Sequence, residues 1–214
     1  MAKITVIGGT GYAGSHIVAE AAARGHEVVS YSRNAPATPV PGVTYQHGDA
    51  ADRAALAAAI DGADVVIGAL SPRGELAGRA LDAYRAVAAQ AKSSDDRLII
   101  IGGFGGLRPA ADAPRFVEDN FPEAYRPEAL EMISVLEWLE TGESGTDWVF
   151  VSPPAIFGAH TPGERTGTYR SGGRIALESA DGTPTTISGA DFAIAIVDEA
   201  ESARHHRDHI SFAS

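Results

Sequence analysis

The run KITVIGGTGYAGSHIVAEAAARG at residues 3–25 starts as an apolar strand, Lys3 to Ile7, crosses glycines at 8, 11 and 14, and continues as an alanine-rich helix. Each glycine has its own task. Gly8 permits a tight turn, Gly11 lets backbone approach a pyrophosphate, and Gly14 lets the helix lie against the strand. Phosphate then rests on the unpaired amides of the helix N-terminus. Ile17, Val18, Ala21 and Ala22 share one helix face, and a second strand is expected at Glu27 to Tyr31 after Arg24-Gly25, completing a βαβ unit. Glycine is plentiful, at 24 of 214 residues, so the spacing alone says little; its place between strand and helix points to a dinucleotide. The candidate contacts of the turn are Gly8, Thr10, Gly11, Tyr12, Ala13 and Gly14.

The end of the second strand reports which dinucleotide is meant. A carboxylate about 20 residues past the motif would accept from the ribose of NAD. Here the segment reads Tyr31-Ser32-Arg33-Asn34, and Arg33 is suited to a 2′-phosphate through charge-assisted bonds. NADP(H) is therefore favoured over NAD(H), with Ser32 and Arg33 as contacts. The alternative reading of Arg33 is a solvated charge at a strand end.

Composition excludes several function classes. A net charge of −11 opposes binding to a phosphate backbone, so no nucleic-acid partner is expected. The chain has no cysteine, which removes disulfides, thiolate nucleophiles and cysteine-held clusters. No apolar run approaches the ~20 residues of a membrane span, and the first residues read as a strand instead of a leader, so a cytoplasmic protein with no membrane partner is expected.

Further strand-like runs recur at Val43 to His47, Val65 to Leu70, Arg97 to Ile101 and Trp148 to Ser152. Between them helices are expected at Gly11 to Arg24, Asp52 to Ile60, Glu75 to Ala91, Pro127 to Glu140 and Gly189 to Glu201. Right-handed crossovers then predict an α/β fold: a Rossmann-type, doubly wound parallel sheet in the order 3-2-1-4-5-6, three layers α/β/α, as a single domain over residues 1–214. His209 to Ser214 is expected as an edge strand. Residues 102–125 and 158–189, rich in Gly, Pro and Thr, break the rhythm. Both leave the C-terminal ends of strands, where open α/β sheets bind ligands, and they are assigned to the substrate pocket.

VIGGTGYAGSHIVAEAAARGHEV at 6–28, LIIIGGFGGL at 98–107, FPEAYRPEAL at 121–130, DWVFVSPPAIFGAHTPGERTGTYRSGG at 147–173 and ISGADFAIAIVDE at 187–199 resemble the atypical short-chain dehydrogenase/reductase superfamily. Within it they are most similar to a small NAD(P)H-binding group of NADH-flavin reductases. Biliverdin-reductase-B type flavin reductases and NmrA-like redox sensors are more distant relatives. The resemblance implies that Asp49-Ala50 lies along the adenine. It also implies that Gly68-Ala69-Leu70 passes the ribose and that Ser152-Pro153-Pro154 lies beside the nicotinamide.

The same resemblance exposes what is missing. The superfamily's usual tyrosine has a lysine four residues on, which lowers its pKa for proton transfer. Tyr125 stands near the expected place, but Ala129 is four residues on, and Gly102-Gly103-Phe104-Gly105-Gly106 lacks the usual serine. Ala155 replaces the histidine that follows Pro-Pro in the biliverdin-reductase-B type. Hydride delivery to a flavin-like or quinone-like small molecule needs none of these groups. Tyr125 is the candidate catalytic residue, and Phe104 and Phe157 are candidate substrate contacts that with Tyr125 would form an aromatic platform. The rival readings are an NADP(H)-binding redox sensor without turnover, and an epimerase or carbonyl reductase. No metal site is expected: His205, His206 and His209 read as a solvated turn. Trp138 reads as helix core or as a subunit contact, which leaves a homodimer open.

Overall fold

In a computed structural model, which describes residues 1–94, 96–119 and 121–214, the chain alternates strand and helix as the period of its apolar residues demands. The strands are β1 (Lys3–Ile7), β2 (Glu27–Ser32), β3 (Thr44–His47), β4 (Val65–Gly68), β5 (Arg97–Ile101), β6 (Trp148–Ser152), β7 (Arg170–Gly172) and β8 (Asp208–Ala213). The helices are α1 (Tyr12–Ala23), α2 (Arg53–Ile60), α3 (Ala80–Ser94), α4 (Arg126–Glu140) and α5 (Gly189–Ser202). Among the described residues they build one sheet in the order β3-β2-β1-β4-β5-β6-β8-β7, parallel except for β7.

The central strands are buried on both faces, and alternate residues serve opposite layers. Leu98 and Ile100 join the core under α2, α3 and α4, whereas Ile99 and Ile101 join the core under α1 and α5. This three-layer arrangement and the strand order through β6 agree with the sequence-based expectation. Beyond β6 the expectation needs correction. The segment at His209 does not form an edge: β8 lies parallel to β6 and is itself covered by the antiparallel β7, from within the 158–189 segment. The helix expected from Glu75 begins instead at Ala80. Gly78 adopts a left-handed φ of 77°, and the Glu131 carboxylate takes the amides of Gly78 and Ala80, so residues 74–76 form only a single 3₁₀ turn.

Buried carboxylates hold the long connections down. Ser188 caps α5 and accepts from the Asp191 amide at 3.0 Å. Asp191 is fully buried, and its carboxylate accepts from Ser188 Oγ (2.9 Å), Gly167 N (2.8 Å), and Thr166 N and Oγ1 (both 3.0 Å). Burial alone would raise its pKa, but the bonds from Thr166, Gly167 and Ser188 outweigh burial and hold it below the ordinary value. Glu20 of α1 receives Arg24 at 2.9 Å and Arg165 at 2.7 Å. Arg24 also reaches Asp198 of α5 at 2.6 Å, and Tyr169 donates to Asp198 at 2.6 Å. The PGERTGTYR run therefore fastens residues 165–169 to α1 and α5.

Replacing Asp191 by Asn turns an amide toward backbone donors and should cost about 2–3 kcal/mol of unfolding free energy at pH 7, read by chemical denaturation. Because the carboxylate pKa is lowered on folding, this stabilisation is present above the unfolded value and is lost as pH falls below about 4. A loss under about 0.5 kcal/mol would contradict the anchoring role.

Candidate functional site

The turn between β1 and α1 is shaped by contacts that leave no room for side chains. Gly8 has φ 87°, its amide donates to Tyr31 O at 2.8 Å, and an added Cβ would lie 2.6 Å from Ala69 O. A Cβ on Gly14 would lie 2.2 Å from Gly8 O, so only glycine allows α1 to touch the turn. Gly11 differs: its Cβ would meet nothing closer than Gly8 O at 3.3 Å, so its outer side is open to a ligand. By helix geometry the amides of Tyr12, Ala13 and Gly14 lack intrahelical acceptors, and none of these residues is acidic. An open cradle of amides without a competing carboxylate fits a pyrophosphate.

A cleft of about 310 Å³ runs from this turn across the C-terminal ends of β1, β2 and β4. Nine of the predicted cofactor contacts line it: Gly8, Thr10, Gly11, Ser32, Arg33, Asp49, Ala50, Ala69 and Leu70. Several of them also hold the site together. Ser32 Oγ accepts from Thr10 N at 3.1 Å. Asp49 accepts from Ala51 N at 2.8 Å through its side chain and from the Tyr31 hydroxyl at 2.8 Å through its carbonyl, while Asp52 caps α2. Tyr12 contributes in a different way. Its hydroxyl donates to Pro162 O at 3.3 Å and accepts from Gly189 N at 3.1 Å, tying α1 to the 158–189 segment and to α5.

Sequence reading missed several residues here. Tyr84 of α3 is fully buried; its hydroxyl accepts from Leu70 N at 3.1 Å and donates to Gly68 O or Leu70 O, which sets the turn after β4. A lone tyrosine in an alanine-rich helix was the available signal. Arg73 and Arg79 line the cleft with Arg33. Arg79 was missed because residues 75–79 read as helix, and Arg73 because it stands in a connection with no motif around it.

The predicted acceptor-side residues have different partners. Tyr125 is the N-cap of α4, 56% exposed, with no side-chain hydrogen bond among the described residues. Phe104 stacks on Phe116 with centroids 4.3 Å apart, whereas Phe157 packs against Tyr12 and Phe192. No ring contact joins Phe104, Tyr125 and Phe157 among the described residues. Ser152 is fully buried at the end of β6, next to the buried Pro153. Its Oγ donates to Gly103 O at 2.9 Å and lies 2.9 Å from His209 Nε2, so that ring nitrogen carries the hydrogen. Burial, then the charges of Arg174 and Arg115, push the His209 pKa down to about 3. This neutral pair fixes the turn that follows β5. The solvated turn expected for the three histidines needs correction: His209 is buried within β8, where its ring pairs with Ser152, while His205 bonds Glu199 at 2.7 Å and His206 bonds Asp147 at 2.8 Å. Trp138 sits in the core under α4, with the Arg85 guanidinium 5.8 Å from its ring. No helix of the described residues is long and apolar enough to cross a membrane.

Comparison with known proteins agrees with this geometry. The model of an NAD(P)H-binding family matches residues 8–203. The uncharacterized protein YwnB of Bacillus subtilis (strain 168) is 33% identical over 99% of this chain and 98% of its own length. A Burkholderia pseudomallei structure, provisionally described as an exported protein, is 37% identical with a TM-score of 0.87, covering 100% of both chains. A Streptococcus pneumoniae TIGR4 structure, provisionally described as an NADH-flavin reductase, is 29% identical with a TM-score of 0.89, again over 100% of both.

Two substitutions separate the glycines' tasks. Gly14→Ala should destabilise the fold by about 2 kcal/mol or more. Gly11→Ala should cost about 1 kcal/mol or less yet weaken dinucleotide binding at least about ten-fold, as read by denaturation and titration. Equal effects on stability would contradict the division.

His209 is buried neutral, with its pKa lowered on folding, so the stability it contributes is present above about 6.5 and is lost as pH falls toward 3. His209→Gln, which keeps a donor toward Ser152, should remove about 1.4 kcal/mol per pH unit from the slope of unfolding free energy in that window. An unchanged slope would contradict the assignment.

Proposed function

We propose that this chain, which belongs to the NAD(P)H-binding family, is a reductase that uses NADP(H) in preference to NAD(H) and reduces a flat flavin-like or quinone-like acceptor. The observation that carries the reading is an intact dinucleotide cradle joined to an acceptor side without a proton relay. Gly8 to Gly14 and the cleft beyond them suit the pyrophosphate and adenosine. Ala129 stands four residues after Tyr125 where a lysine would be needed, and Ser152 is taken up by Gly103 and His209.

The residues divide the work accordingly. The first-turn amides of α1 hold the pyrophosphate, and Ser32 keeps Thr10 in place beneath it. Asp49 and Ala50 border the adenine, and Ala69-Leu70, held by Tyr84, borders the ribose. When bound, the reduced nicotinamide supplies a hydride, and a flavin or quinone takes its proton from water. Ser152 and Pro153 set the strand end beside that ring, while Tyr125, exposed at the head of α4, is the polar group available to an acceptor. The likeness to a Streptococcus pneumoniae protein provisionally described as an NADH-flavin reductase supports the choice of acceptor. A cytoplasmic setting belongs to this reading, supported by its need for a reduced dinucleotide.

The test is the loss of reduced-nicotinamide absorbance with NADPH, then NADH, against FMN, riboflavin and a simple quinone. Turnover faster with NADPH is expected. Arg33→Ala should weaken NADPH binding about ten-fold or more while leaving NADH within about two-fold, since only NADPH carries the 2′-phosphate. Tight binding without oxidation of any acceptor would overturn the reductase and assign a redox sensor.

A further inference from the structure

The adenosine end of the cleft is crossed by a strap. Residues 73–80 leave the turn after β4 and are pinned to α4 at two places: Arg73 Nε bonds Glu128 at 2.7 Å, and the amides of Gly78 and Ala80 bond Glu131. Between these pins, the 3₁₀ turn at Gly74–Leu76 carries Glu75 back over the cleft. There its carboxylate meets Arg33 Nη1 at 2.6 Å. Arg33 thus faces the ligand cavity already paired. Arg79 also lines the cavity and forms no ion pair among the described residues.

We propose that Glu75 is a cofactor-selectivity residue, a removable counter-ion that NADP(H) must displace from Arg33 and that NAD(H) leaves in place. The inference rests on the dinucleotide reading above and deepens it. A 2′-phosphate on Arg33 would set its dianion against the Glu75 carboxylate, so both cannot occupy the guanidinium without repulsion. A free ribose hydroxyl brings no such charge and is compatible with the closed Arg33–Glu75 pair. The pair is exposed, with side chains 46% and 79% accessible, so breaking it is cheap and the exchange can occur at ordinary cofactor concentrations. Arg79 remains as a second cation for the phosphate. The chain therefore keeps a lower preference for NADP(H) than Arg33 and Arg79 alone would confer, and can use both dinucleotides.

The experiment is direct titration of the full chain with NADPH, NADH and 2′,5′-ADP, in the unaltered protein, Glu75→Gln, Arg33→Ala and the double variant. Glu75→Gln should bind NADPH and 2′,5′-ADP about three- to ten-fold more tightly and leave NADH within about two-fold. In the Arg33→Ala background the same change should yield less than about two-fold, because no guanidinium remains to be freed. No change in Glu75→Gln, an equal change for NADPH and NADH, or a gain that survives intact without Arg33 would each overturn the proposal. An unaltered chain that binds neither dinucleotide would instead overturn the dinucleotide reading on which it rests.

Discussion

The candidate site of this molecule depends on one close approach, that of helix α1 to the turn at the end of β1. With an added Cβ on Gly14 only 2.2 Å from Gly8 O, the helix and the turn meet backbone to backbone. That contact aims the first turn of α1 at the space above the sheet. It also forces Gly8 into a left-handed conformation and brings Ala69 against it from the neighbouring strand. The cleft exists because three strand ends, β1, β2 and β4, are drawn to one place by parallel pairing and by that contact. The hydrogen bond from Thr10 N to Ser32 Oγ and the bonds of Tyr84 to the turn after β4 then fix its walls.

The opposite half of the sheet is held by different physics. Past β6 the long connection has few apolar residues, and buried polar groups with hydrogen-bond partners supplement the hydrophobic packing of α5 and β8. Asp191 gathers the Thr166 and Gly167 amides, Glu20 gathers Arg24 and Arg165, and Ser152 shares a hydrogen bond with His209. Arg97 spans Glu199 and the His205 carbonyl at the opposite edge. These devices are demanding, since a buried carboxylate deprived of its donors costs several times what a surface pair contributes. They explain why a run such as PGERTGTYR, with hardly any apolar residues, is nonetheless well placed.

The first half of the fold could be read almost residue by residue, because the signal lay in local chemistry. Strand β1, the glycine spacing, the helix expected from Asp52 and the Pro127 start of α4 all act within a few residues of themselves. What escaped reading depended on partners far along the chain. Gly78 ends a would-be helix only because Glu131, 53 residues away, is there to take its amide. β8 is an interior strand only because β7 arrives from a loop that carries no strand pattern. The candidate site divides in the same way. Nine candidate cofactor contacts that line the cleft follow from the motif and its neighbouring strand ends, whereas Tyr84, Arg73 and Arg79 enter through tertiary packing. The acceptor side was least legible, because Phe104, Tyr125 and Phe157 each had an aromatic or exposed position open to them and the sequence holds no distance between them.

The most direct measurement is backbone hydrogen exchange of the whole chain with and without NADPH, followed peptide by peptide. If the β1–α1 turn is a dinucleotide cradle, protection should rise at residues 8–14, at 32–34, at 49–50 and at 69–71, with little change around Asp191 and Glu199. NADPH protection absent from residues 8–14, or appearing only elsewhere on the molecule, would contradict the assignment of the site.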